Sequence, residues 1–166
     1  MAEYAARTTA GACPFCEIAA GHLSTPGVFW QNEGFMAFLT LDPNTEGFSC
    51  VIPKAHHGSD VLKLPDDVLW PLIQASQKAA AMLERAFPDV GRVGVIGEGT
   101  GIDHAHIKLV PMHGTEHLRR GEWRQTLSGK EHWFDKYEGW ISSADGPRSD
   151  PDQLAALAVR IADRKK

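Results

Sequence analysis

Between Pro65 and Phe87 the apolar residues Leu69, Leu72, Ile73, Ala79, Ala80, Leu83 and Phe87 recur at three- and four-residue steps, the single stripe of an amphipathic helix. Such a helix must lay its stripe against another element, and the segments before and after it read as short strands. Val28 to Gln31 and Phe35 to Thr40 are two strands joined by the turn residues Asn32, Glu33 and Gly34, and Phe48 to Pro53 is a third. Arg92 to Ile96 is a fourth, and His104 to Val110, stopped by Pro111, is a fifth. Hairpin-like strands around one long helix predict an α+β fold with a largely antiparallel five-stranded sheet.

The two ends carry weaker patterns. Cys16 to Gly21 fits a short helical turn ended by glycine, and Met1 to Ala12 reads as a loose N-terminus. Near the other end Asp150 can cap a final helix, with Pro151 at its first position and Gln153 completing a capping-box pattern. Leu154, Leu157 and Ile161 would be the buried face of that helix. Gly121 to Trp140, rich in tryptophan, is expected to pack as core. The predicted organisation is one domain over 13–166, with a core over 13–112 and a C-terminal helical extension over 113–166.

Composition narrows the function classes. With 166 residues, 43% hydrophobic and 23% charged, the chain is of the ordinary globular kind, and no apolar run reaches membrane-spanning length. The net charge of −4, without a long Lys/Arg run, gives no footprint for nucleic acid or a membrane surface. Met1 to Ala12 lacks the basic flank and apolar stretch of a signal peptide, so a reducing cytoplasmic home is expected.

The chemistry concentrates in the fifth strand. Alternation puts His104, His106 and Lys108 on one face and Ala105, Ile107 and Leu109 on the other. Immediately before them stands the glycine-rich run Gly97-Glu98-Gly99-Thr100-Gly101, whose backbone N–H groups suit an anion. Two imidazoles and an ammonium beside such a turn point to a phosphate ester rather than a neutral substrate. A catalytic His-x-His zinc site is the competing reading. Three cysteines, two of them in Cys13-Pro14-Phe15-Cys16, suit a metal site better than a disulfide framework. With no strand before the pair, a redox role is the weaker reading. Candidate imidazole partners are His56, His57 and His104, among which spacing does not choose.

The order Cys13-x-x-Cys16, then Val51-Ile52-Pro53-Lys54-Ala55-His56, then His104-Ala-His106-Ile-Lys108-Leu-Val-Pro111, resembles the histidine triad family over about residues 13 to 111. The resemblance implies a dimeric α+β protein that hydrolyses or transfers nucleotidyl groups, with diadenosine polyphosphates or nucleoside phosphoramidates as substrates. It puts His106 at the nucleophile position. It also implies a closed, structural zinc site on Cys13, Cys16, His56 and His104. A purine nucleotide or dinucleotide would then meet Phe38, Thr40 and Leu41, with Gly97, Gly99, Thr100 and Gly101 around its phosphate. Lys108 replaces the third histidine of the pattern, and Thr40 stands where many members place Asp or Asn for the ribose. The expected mechanism is attack of neutral His106 on the α-phosphorus, with a covalent nucleotidyl-imidazole intermediate and Lys108 supplying charge. A nucleotide-binding or sensing protein with little turnover is the alternative.

Overall fold

The computed structural model describes residues 13–25, 27–41, 43–123, 135 and 150–152. The chain divides into two compact units, Met1–Trp123 and Arg124–Lys166. In the first, helix α1 (Pro14–Ala19) precedes strands β1 (Val28–Gln31), β2 (Phe35–Leu39) and β3 (Ser49–Pro53). Helix α2 (Asp66–Ala86), β4 (Val93–Ile96) and β5 (Ile107–Pro111) follow. Short 3-10 turns cover Val61–Lys63 and Glu116–Arg120.

The strands form one sheet in the order β1-β2-β3-β5-β4, and every adjacent pair is antiparallel, as the sequence pattern predicts. β1 and β2 are the expected hairpin, with Asn32 Oδ1 accepting from the backbone N–H of Gly34 (3.1 Å) and Phe35 (2.7 Å). A register irregularity between Val28 and Trp30 interrupts their pairing.

Both sheet faces are covered, which is why every residue of β3 is buried and, after Ser49, its sequence is an apolar run rather than an alternation. On one face Leu72, Ala75, Ala79 and Leu83 of α2 cluster with Ala37, Val51, Ile107 and Leu109. Burial of a side chain such as Leu72 contributes about 1.5–3 kcal/mol. On the other face Met36, Phe38, Cys50 and Ile52 are covered by Phe15, Ile18 and Ala19 from α1. Directly opposed residues share a face, so Phe38, Cys50 and Lys108 line up across β2, β3 and β5 on the α1 side. That row becomes the floor of the site.

Helix α2 runs unbroken through Pro71. Asp66 and Asp67 in its first turn complement the helix dipole. At its far end the Arg119 guanidinium donates to the carbonyls of Glu84 (2.5 Å) in the last turn and of Val90 beyond it, tying the Glu116–Arg120 turn to the helix end.

The boundaries differ from the sequence reading at one place that matters. The strand expected from His104 begins at Ile107, because pairing with β3 starts at Val51↔Ile107. The residues before it are held differently: the Ala105 N–H donates to the His57 carbonyl at 2.7 Å.

In the second unit the backbone N–H of Asp152 donates to Asp150 Oδ1 at 3.0 Å, the geometry of a helix cap, and Pro151 and Asp152 are helical. The remainder of the expected final helix, the loose N-terminus and most of the tryptophan-rich segment lie outside the described residues. Among the described residues no helix is long and apolar enough to cross a membrane.

His113 joins three segments just past β5. Its Nδ1 lies 3.0 Å from Asp89 Oδ2, its Nε2 lies 3.1 Å from the Glu46 carbonyl, and its ring meets Phe87 edge-on. The Glu46 carbonyl and then the Asp89 carboxylate raise its pKa above the ordinary 6.5. The group is therefore protonated in the fold at pH values where the unfolded chain has released its proton. Its stabilisation is complete below the unfolded value and is lost as pH rises through the folded one. The stability gap between wild type and His113→Gln, read from urea melts, should be larger at about pH 6 than at about pH 8.5.

Candidate functional site

Two loops and a helix converge at the start of β5. Asp103 Oδ1 accepts from the Ser59 N–H at 3.0 Å, and Ala105 bonds to His57, so the segment after β3 is stitched to the segment before β5. This stitching brings His56 beside His104, with ring centroids 5.2 Å apart. Helix α1, packed on Phe38 and Ile52, carries Cys13 and Cys16 to the same place.

The ligand atoms of Cys13, Cys16, His56 and His104 all lie within 4.8 Å of one another, a group that could hold a metal ion. The hydrogen bonds fit such a role. His104 Nε2 donates to the Pro53 carbonyl at 2.8 Å, since a carbonyl only accepts, and this leaves the Nδ1 lone pair toward Cys13 Sγ (3.3 Å) and Cys16 Sγ (3.5 Å). His56 Nδ1 lies 3.5 Å from Cys16 Sγ. Thiolate and imidazole donors at this spacing suit a tetrahedral transition metal. His57, the other candidate ligand, contributes its backbone carbonyl instead.

His106 is almost wholly buried, at 2% exposure. Its Nδ1–H donates to the His104 carbonyl at 2.7 Å, so Nε2 keeps a lone pair. Burial pushes the His106 pKa down, the His104 carbonyl works the other way, and nearby Lys108 adds to the depression. Phe15, the residue inside the cysteine pair, sets its ring edge-on to His104 (5.7 Å) and His106 (5.6 Å).

A cavity of about 340 Å³ opens over the Phe38–Cys50–Lys108 row. Of the sequence candidates, His106, Lys108, Phe38, Thr40, Leu41, Thr100 and Gly101 line it. Thr40 Oγ1 is buried there without a hydrogen-bond partner among the described residues. Cys50 also lines the cavity, but burial pushes its thiol up to about 12, so it is no nucleophile at neutral pH.

Gly97 and Gly99 are not among the lining residues. A Cβ on Gly97 would touch the Val61 side chain at 3.8 Å. Gly99 has φ +65°, and a Cβ there would stand 2.6 Å from the Ser59 carbonyl oxygen. This glycine is needed for a left-handed backbone and a close approach of two loops, not for contact with the cavity.

Glu98, between those glycines, is the residue that the sequence reading passed over. Its Oε1 accepts from Lys108 Nζ and from Thr100 Oγ1, the latter at 3.1 Å. Burial pushes the Glu98 carboxyl up, but the Lys108 hydrogen bond, backbone N–H and Thr100 together hold it below the usual range. The ammonium expected to supply charge is thus paired. The only sequence signal was an acidic residue in a turn, and the Ile96↔Lys108 register was needed to give it meaning.

The buried, tautomer-fixed imidazole lining the sheet cavity, beside the cysteine–histidine cluster, makes this the candidate small-molecule site of an α+β domain. The HIT domain model matches residues 24–115, and the chain belongs to that family. An uncharacterized HIT-like protein of Methanocaldococcus jannaschii is 29% identical over 102 residues, covering 60% of this chain and 78% of the relative. The adenosine 5'-monophosphoramidase of Saccharomyces cerevisiae is 29% identical over 105 residues, 63% of this chain and 65% of the yeast protein. In fold the chain is similar to a HIT family protein from Bacillus anthracis, with a TM-score of 0.59 at 24% identity, over 95% of this chain and all of the other.

The cysteine–histidine cluster predicts about one equivalent of bound metal per chain by elemental analysis. Cys16→Ser should lower that content and the thermal midpoint together, and unchanged values for both would count against a metal site.

Proposed function

We propose that the protein is a nucleotidyl hydrolase or transferase that cleaves at the α-phosphate of a nucleotide through a covalent adduct on His106. The observation that carries this reading is the His106 hydrogen bond to the His104 carbonyl, which leaves Nε2 unprotonated at the cavity. Membership of the HIT family and the yeast phosphoramidase among its relatives support the same chemistry.

In the first step the Nε2 lone pair forms a bond to phosphorus. The bond to the leaving group breaks, and that group departs with the electron pair and takes up a proton. In the second, water or another acceptor attacks the phosphorus, the P–Nε2 bond breaks with its electron pair returning to Nε2, and the acceptor oxygen releases to solvent a proton that balances the one taken up by the leaving group. The overall change consumes one acceptor per bond cleaved. Lys108 and the backbone at Thr100 and Gly101 balance charge on the phosphoryl oxygens. Phe38 and Leu41 give the base an apolar slot, and the unpartnered Thr40 hydroxyl is available to the ribose. The natural substrates on this reading are nucleoside phosphoramidates or dinucleoside polyphosphates.

Cys13, Cys16, His56 and His104 would hold zinc. With four protein donors the site would be closed and structural, cross-linking α1 to the loop after β3 and to the start of β5. Its value to the reaction is positional, since His104 also carries the carbonyl that orients His106.

Incubation with adenosine phosphoramidate carrying a radiolabel in the adenosine, quenched in base, should leave label on wild type and none on His106→Ala. Hydrolysis by the variant should fall by about 10³-fold or more. Nucleotide binding without any adduct would instead favour the binding-protein alternative.

The same reading includes a homodimer. β4 ends the sheet with a free edge among the described residues, and Val95 on it is 62% exposed. Sedimentation velocity should give twice the chain mass, and a monomer at micromolar concentration would remove this part.

A further inference from the structure

The one charged side chain among the described residues that line the cavity is Lys108. Its ammonium is held by Glu98, a carboxylate only 12% exposed that stands behind it rather than in the cavity. Thr100, which does line the cavity, also donates to Glu98 (3.1 Å), so the carboxylate is fixed from two sides. The second Glu98 oxygen is buried with no partner among the described residues, leaving Lys108 as the one cation set against this negative charge there. A cation and an anion locked together project little net field into a pocket. The remaining lining is apolar groups, hydroxyls, a high-pKa thiol and a buried imidazole.

A site built for a phosphate chain gathers positive charge along it, one cation or helix end for each group. Here one phosphoryl group can still take a hydrogen bond from Lys108, because an ammonium has three donors and Glu98 uses one. Further phosphates would find no unpaired cation among the described lining residues. We propose that Glu98 is a specificity-determining residue: by neutralising Lys108 it makes the site indifferent to added phosphate charge, so that polyphosphate chains gain no advantage over nucleoside monophosphates with an uncharged leaving group. The inference rests on the nucleotide reading above and narrows it. Glu98 acts through Lys108 and is a positioning residue, not a catalytic one.

A charge ladder tests it. AMP, ADP and ATP are titrated calorimetrically without divalent metal into wild type, Glu98→Gln and Lys108→Met. Wild type should bind the three within about threefold of one another. In Glu98→Gln the unopposed ammonium should favour each added phosphate by roughly tenfold. In Lys108→Met the unopposed carboxylate should invert the order, so that ATP binds weakest. A role in folding alone would weaken all three nucleotides equally and would not tilt the ladder.

Wild type preferring ATP over AMP by tenfold or more overturns the assignment, even if neither variant folds. A flat ladder in a folded Glu98→Gln or Lys108→Met also overturns it. Failure of wild type to bind any of the three defeats the nucleotide reading itself, whereas binding with the wrong ladder defeats only the role of Glu98.

Discussion

His104 is the joint on which this site depends. Its Nε2 bonds to the Pro53 carbonyl at the end of β3, its Nδ1 faces two cysteine sulfurs, and its own carbonyl takes the Nδ1–H of His106. One fully buried imidazole therefore ties the sheet to helix α1 and also sets the tautomer of its neighbour. Such a residue cannot be satisfied piecemeal. Loss of the Pro53 contact would leave a polar ring in the core and free the sulfur-facing nitrogen to rotate.

Burial makes this polar arrangement specific. Phe15 seals the ring edges of both histidines, and desolvation depresses the pKa of each. A neutral imidazole with its donor nitrogen engaged presents the other nitrogen in only one way. The same low-polarity setting strengthens the attraction between Lys108 and Glu98.

Much of the fold can be read from residue periodicity. The α2 stripe over Leu69 to Phe87, the β1–β2 hairpin around Asn32-Glu33-Gly34 and the five strands all follow from local pattern, within a residue or so at most ends. The start of β5 does not, because alternation continues through His104 and His106 while the ladder with β3 begins only at Ile107. The glycine run shows a related limit. Its composition suggested a phosphate cradle throughout, yet neither Gly97 nor Gly99 lines the cavity, and Gly99 serves the close approach of one loop to another. A glycine needed for a positive φ and a glycine needed by a ligand look identical in a sequence.

By itself the sequence determined an antiparallel sheet with one long helix, because residue types and periodicity are local properties, whereas the set of four metal-type ligands and the nucleophile position of His106 were implied only by the resemblance to the histidine triad family. Only the tertiary structure decided that those four ligands meet within 4.8 Å, that His106 donates through Nδ1, and that Lys108 is bound to Glu98. Each of these is a relation between different segments of the chain or between a side chain and a backbone carbonyl. Sheet register and loop packing create such relations, and neither is written in the spacing of residues along a single strand.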